Sequence, residues 1–324
     1  KDYGTPEPSR GHHRPGNGYI VRGSLIVALC CSNWVTFNSH QQVGGVGVWV
    51  PAGMRALDQA APAAAQLQDG AVLVAGNSKR IVEVYDAGAW AWRRLADLYR
   101  ARRRHSLTAL HDGGAIAVGG MDSPSEPFTG DPLAYGAERF DRKANRWLPA
   151  GEGLLFPQRS HHVAALLPNG SILIAGGCEL GSLFECDAPL FSAQIYDPEA
   201  NRWTDTGPLN QARYLASGVV LDDGRVLVVG GVSSPGKTWD EMSGLRTSEI
   251  YNPRTGTWSL TGNLNRPRFL GTAILLPDGR VLAAGNSTPF TQNPPTDPRR
   301  EGTSEIFDPA TGTWSQLVEL QGPS

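Results

Sequence analysis

Five tryptophans recur along the chain at Trp92, Trp147, Trp203, Trp258 and Trp314, in steps of 55, 56, 55 and 56 residues. A unit of that length holds about four strands, and a fixed period marks architectures in which each unit packs only on its neighbours. The spacing therefore restricts the chain to a radial array of small sheets.

The intervals between tryptophans carry a common order of residues. A segment that starts with Arg leads through small and apolar residues into an Asp-Gly or Asn-Gly pair: Asp69-Gly70, Asp112-Gly113, Asn169-Gly170, Asp223-Gly224 and Asp278-Gly279. Such pairs supply the positive φ that tight antiparallel turns need, and two-residue hairpin turns are expected here. An apolar run follows, such as Val226-Leu227-Val228-Val229, and ends in Gly119-Gly120, Gly176-Gly177, Gly230-Gly231, Gly76-Asn77 or Gly285-Asn286. A run that is apolar at every position reads as a strand covered on both faces. After a variable loop comes a Glu-Ile-Tyr-Asp-like strand (Glu83 to Asp86, Glu138 to Asp141, Gln194 to Asp197, Glu249 to Asn252, Glu305 to Asp308), then the strand that carries Trp. The Tyr or Phe and the Trp, taken as two strands apart, are expected to pack between units.

This order resembles the kelch repeat, over about residues 53–316. The resemblance, to kelch-repeat β-propellers of bacterial type, implies an all-β fold of six four-stranded blades, with five or seven as alternatives. Residues 1–10 read as a flexible arm and residues 11–324 as one propeller domain. The blades fall at about 11–51, 52–98, 99–153, 154–209, 210–264 and 265–320. The first of these is degenerate: Gly23 to Ala28 matches Gly170 to Ala175, Leu29-Cys30 replaces Gly-Gly, and Trp49 takes the place of the periodic Trp. Its inner strand is expected from the segment around His12 to Ile20.

Net charge is −2 and the isoelectric point about 6.4, so no global basic field invites nucleic acid. No apolar run reaches transmembrane length. The chain starts at Lys1, which leaves room for a removed signal and favours a secreted or periplasmic location over a cytoplasmic one. A monomer is expected. Cys178 and Cys186 are eight apart in one loop and could form a disulfide, whereas the adjacent Cys30 and Cys31 are poorly placed to bond each other. Arginine outnumbers lysine 25 to four, which either reflects base composition or supplies forks for carboxylate or phosphate.

The resemblance also implies that the links between blades and the loops after the second strand share one face. Those loops, 121–137, 178–193, 232–248 and 286–304, are long and all different, and variable loops on a repeated scaffold usually carry function. Counting back from each Asp/Asn-Gly turn aligns the links. Ten back stand Arg102, Arg159, Arg213 and Arg268; nine back, Arg103, Ser160, Tyr214 and Phe269. Eight back stand Arg104, His161, Leu215 and Leu270; seven back, His105, His162, Ala216 and Gly271. Five of the seven histidines, His12 and His13 included, fall in this stretch near the mouth of the central channel. The ten-back arginines suit a structural role because they recur. Arg103, Arg104, His161, Tyr214, Phe269 and Arg266 break the repeat and suit a pocket, as does Trp239 beside Asp240 and Glu241.

The leading reading is a module that binds a small polar or anionic ligand, a glycan or a peptide on the variable-loop face. Its binding set is Arg102, Arg103, Arg104, Arg159, Arg213, Tyr214, Trp239, Arg266, Arg268 and Phe269. A second reading is a non-redox lyase, isomerase, cyclase or hydrolase, with His105, His162 and His161 as general acid or base and the arginines stabilising an anion. A third is an adaptor for other proteins. No cofactor is expected, although a metal held by histidines such as His105 and His162 is an alternative. Copper oxidases of this fold need tyrosine and histidine ligands with a cross-linked cysteine. The chain has no Tyr-His dipeptide and its cysteines are not placed for that pattern.

Overall fold

The computed structural model describes residues 24–29, 33–38, 62–76, 80–86, 88–89, 91–120, 136–151, 158–180, 186–234, 244–285, 303–315 and 318–319, the first two spans by their backbone. The N-terminal arm, the segment around His12 to Ile20, Cys30, Cys31, Trp49 and Trp239 lie outside the described residues.

Five antiparallel sheets of four consecutive strands follow one another along the chain. The first comprises Ala63–Gln66, Val72–Ala75, Val82–Asp86 and Ala91–Arg94. The second comprises Ser106–Ala109, Ala115–Val118, Ala137–Asp141 and Arg146–Pro149. The third comprises Val163–Leu166, Ile172–Ala175, Ala193–Asp197 and Arg202–Thr206. The fourth comprises Ser217–Val220, Val226–Val229, Ser248–Asn252 and Thr257–Leu260. The fifth comprises Thr272–Leu275, Val281–Ala284, Thr303–Asp308 and Thr313–Trp314, and Val318–Glu319 also pairs with its third strand. A hairpin of Ser24–Leu29 and Asn33–Asn38 precedes them. The first strands of successive sheets touch one another, and this places them innermost around a common axis. The fold is a kelch-type β-propeller, all-β among the described residues.

The core lies between blades. Ile116 and Val118 of the second blade share one buried cluster with Ile172, Ile174, Tyr196 and Trp203 of the third. Val163, Ala165 and Leu173 of the third join Val226, Val228 and Tyr251 of the fourth. Second strands are covered on both faces, which is why they are apolar throughout: Val72 to Ala75 and Ala115 to Val118 are all 0% exposed. Each Tyr or Phe lies directly opposite its Trp on the neighbouring strand, not two strands away, with ring centroids 4.9 Å apart for Tyr196 and Trp203 and 5.1 Å for Phe140 and Trp147. The indole then reaches back to the preceding blade. Nε1 of Trp147, Trp203 and Trp314 donates to the carbonyls of Ala96, Ala150 and Gly262 at 3.0–3.1 Å.

The Asp-Gly loops span three residues instead of the expected two. Leu67 N donates to Ala71 O and Gly70 N to Leu67 O, with Gly70 at φ +84°, and the aspartate Oδ1 accepts from Ala71 N. This is a type I turn closed by a glycine in the left-handed region. At the other end of the strands, Gly230 (φ +63°) sits so close to the next blade that a Cβ there would lie 2.2 Å from Arg268 O, while Gly231 N donates to the same oxygen at 2.7 Å. Gly-Gly is thus required by blade-to-blade contact as well as by dihedral angle. Gly230→Ala is expected to cost at least about 3 kcal/mol in urea denaturation, and Gly279→Ala, where the new Cβ would meet only the flexible end of Asp222, about 1–2 kcal/mol.

Candidate functional site

The link segments enter the blades at the end opposite the Asp-Gly loops. There the ten-back arginines fold into their own blades. Arg213 Nη1 donates to Gly230 O at 2.7 Å and Thr247 O at 3.0 Å, and Nη2 to Glu249 Oε1 at 2.7 Å. Arg268 repeats this with Gly285 O, Thr303 O and Glu305, and Arg102 with Gly119 O and Glu138. The carboxylates are held in turn by link amides, as Glu249 is by Asn210 N and Gln211 N. Arg266 takes part through its backbone, donating to Glu305 Oε1 at 3.4 Å. Both members of each ion pair are at most 3% exposed. These arginines tie link to blade, and the glutamates that complete them recur in the third-strand motif, a signal the sequence carried. Arg159 departs: Gln194 replaces the glutamate, and the guanidinium bonds Gly176 O, Ser192 O and Ser192 Oγ. Burial lowers its pKa to about 10, offset only in part by Asp205 and Glu179.

The eight-back residues form a girdle of backbone hydrogen bonds around the axis. His161 N donates to Arg104 O, Leu215 N to His161 O and Leu270 N to Leu215 O, at 3.0–3.2 Å. All four residues are in the left-handed region, at φ 59°, 52°, 56° and 53°. Non-glycine residues hold that conformation only where surrounding bonds impose it.

At one side of the girdle, positive charge gathers. Arg104 is half-buried, and its pKa is lowered by burial and then by the charge of Arg103. The buried Nε of Arg103 has no hydrogen-bond partner among the described residues. His161 lies beside both; burial first, then Arg104 and Arg103, push its pKa down to about 3. Ser160 Oγ meets its Nδ1 at 3.0 Å, and Tyr214 presents an edge to the ring at 6.3 Å between centroids.

The other described residues named from the sequence lie in the packing between blades. Tyr214 and Phe269 are 2% and 1% exposed and pack with Cys178, Leu215 and Val232 in a buried cluster. His105 is buried, with its ring against Gly76 of the preceding blade; burial, then Arg102, lowers its pKa to about 3. His162 is likewise held near 3, chiefly by burial and then by Arg159, and its Nε2 meets Ser106 Oγ at 2.8 Å. That contact has the outline of a nucleophile and base. It occupies the same slot as the bond from Ser217 Oγ to Gly271 O in the next pair of blades but one, which marks it as a latch between inner strands. A histidine with a pKa near 3 is a feeble base and is not in its imidazolium acid form at neutral pH.

The variable loop 178–193 is ordered where it is described. Cys178–Leu180 pairs with Arg159–Ser160 and with Cys186–Pro189, and Cys178 and Cys186 are joined as a disulfide with Cα atoms 5.4 Å apart. Beside the girdle, Leu215, Ser217, Arg268, Phe269 and Gly271 border a recess that admits about one water-sized molecule. Among the described residues no three His, Cys, Asp or Glu side chains group to hold a metal. No helix there is long and apolar enough to cross a membrane.

Two measurements check this assignment. Glu249→Ala leaves Arg213 buried and uncompensated, and a loss of about 3–5 kcal/mol is expected by denaturant titration. The three histidines have native pKa values below their unfolded value of 6.5, so the unfolded chain binds more protons between pH 6.5 and 3. Stability is therefore full above pH 6.5 and falls on acidification by up to about 1.4 kcal/mol per pH unit for each histidine. His162→Gln should flatten that slope in calorimetric scans from pH 7 to 5.

The Kelch motif family model matches residues 213–265, the fourth blade with its link. An F-box/kelch-repeat protein of Arabidopsis thaliana is 30% identical over 193 residues, 58% of this chain and 49% of that protein. Human Kelch-like protein 34 is 27% identical over 248 residues, 74% of this chain and 34% of that protein. The chain thus spans a third to a half of the length of these two relatives, both eukaryotic. A solved fungal alcohol oxidase of the AA5 family, in complex with copper, superposes with a TM-score of 0.50 at 19% identity, over 79% of this chain and 65% of that one. The likeness is one of fold; the described donor set does not fit copper, since Cys178 is spent in a disulfide and His162 Nε2 on Ser106. The recurring Arg, Gly and Trp do the same tasks in successive blades, and the Kelch motif match together with these likenesses supports a kelch-repeat family.

Proposed function

We propose that this propeller is a binding module that takes an anionic group of a small molecule or of a peptide side chain at the channel mouth, between Arg103, Arg104 and His161. One observation carries the reading. The deeply buried Arg102, Arg213 and Arg268 each have a glutamate, whereas the buried Nε of Arg103 has no hydrogen-bond partner among the described residues, and Arg104 and His161 both feel its charge. Adjacent half-buried cations are stabilised by an anion that brings its own charge. Arginine forks suit a carboxylate, and His161, neutral at pH 7, offers a hydrogen bond without adding repulsion. The neutral histidines weigh against acid-base catalysis at this place.

Tetraglutamate and glucuronate are suitable probes, with chemical-shift titration at low salt as the measurement. Arg103→Ala or Arg104→Ala should weaken binding roughly ten- to hundred-fold, the loss expected for hydrogen bonds to a charged group. Arg225→Ala, at an exposed loop of the opposite end, should leave it unchanged. Equal affinity in all variants, or no binding of either probe by the wild type, would sink the reading.

A further inference from the structure

We propose that the Cys178–Cys186 disulfide positions the channel-mouth site, so that thiol reductants weaken what the site holds. The inference rests on the channel mouth being a ligand site, and it follows from how the girdle is supported. Two of the four girdle residues sit on the disulfide-bonded hairpin by different routes. His161 follows directly on Arg159–Ser160, the short strand that pairs with Cys178–Leu180 in the register Arg159 to Glu179 and Ser160 to Cys178. Ser160 Oγ then meets His161 Nδ1 at 3.0 Å. Leu215 reaches the hairpin by packing: it shares a buried cluster with Cys178, Tyr214, Val232 and Phe269, against which Cys186 also packs. Tyr214, in that cluster, lies edge-on to the His161 ring.

The hairpin is short. Its strands are three and four residues long, and their register shifts between Glu179 and Leu180. Cross-linking such a segment removes chain freedom that so few backbone bonds would leave in place. The covalent bond therefore keeps Ser160 and the Tyr214 ring where they fix His161, and through the bond from His161 N to Arg104 O they bear on the arginine pair. Cys186 is the more exposed of the two residues. A dithiol attacks there, its sulfur bonding to Cys186 as the S–S bond breaks and Cys178 leaves as thiolate. The second thiol of the reagent then displaces Cys186. The dithiol ends as a cyclic disulfide, having given two electrons and two protons to the pair of cysteines.

The test compares amide exchange in the oxidised chain, the dithiothreitol-treated chain and the Cys178→Ser/Cys186→Ser variant, which settles the matter where the reagent fails to reach the bond. The amides of His161 and Leu215 are expected to exchange at least ten-fold faster without the disulfide, while those of Val281–Ala284 in the fifth blade stay within two-fold. Unchanged exchange at His161 and Leu215 overturns the proposal. So does equal acceleration at both sets, which would make the bond a general brace. Tetraglutamate affinity is read on the same samples: a loss of ten-fold or more supports the proposal, and equal affinity with and without the bond overturns it. If neither form binds tetraglutamate while exchange is selectively faster, the choice of ligand falls and the positioning role stands.

Discussion

The structure depends on one relay of hydrogen bonds that passes from blade to blade through Arg and Gly-Gly. Arg102 Nη1 donates to Gly119 O, Gly120 N to Arg159 O, Arg159 Nη1 to Gly176 O, and Gly177 N to Arg213 O. Arg213 continues to Gly230 O, Gly231 N to Arg268 O, and Arg268 to Gly285 O. Arg159, Arg213 and Arg268 each serve twice, by the guanidinium within their own blade and by the carbonyl to the blade before. The relay needs backbone at both glycines to approach within hydrogen-bond distance, which a Cβ forbids. The spacing it sets brings the second strands into contact on both faces, and the burial that follows supplies the main stabilisation.

A scaffold built this way makes departures informative. Guanidinium groups inside the blades are matched by glutamate, so charge there is consumed by structure. At the third blade the match is broken, with Gln194 in place of glutamate, and Arg159 is served by carbonyls and Ser192 instead. The same blade carries His161, His162 and the disulfide-bonded hairpin, and its neighbour carries Arg103 and Arg104. The non-repeating chemistry is thus gathered at one side of a girdle whose backbone is the same in all four blades that form it.

Much of this was legible in the residues. The Trp period, the Asp-Gly pairs, the apolar second strands and the Gly-Gly ends each reflect a local demand on dihedral angle or burial, and each appears where it was read. The counting of link positions likewise sorted residues into slots that the structure keeps. Within those slots side-chain fate was not legible. Tyr214 and Phe269 break the repeat as surface ligand residues would, yet they are buried under the hairpin of a different blade. His162 and Ser106 lie 56 residues apart, and nothing local tells that they touch. The place of the Tyr–Trp pair was misjudged by one strand because period alone does not set register.

Taken alone, the sequence determined the repeat, the four-stranded unit, the end of each blade at which the variable links gather and which positions must be glycine. These follow from period, φ and apolar patterning, which act over a few residues. Only the tertiary structure decided which arginines are spent on glutamate and which gather at the channel mouth. It also placed His105, His161 and His162 where burial and arginine charge lower their pKa, and joined Cys178 to Cys186 in a disulfide. Those outcomes turn on burial and on charges brought together from different blades. Desolvation and Coulomb forces depend on distance in space, which separation along the chain does not specify.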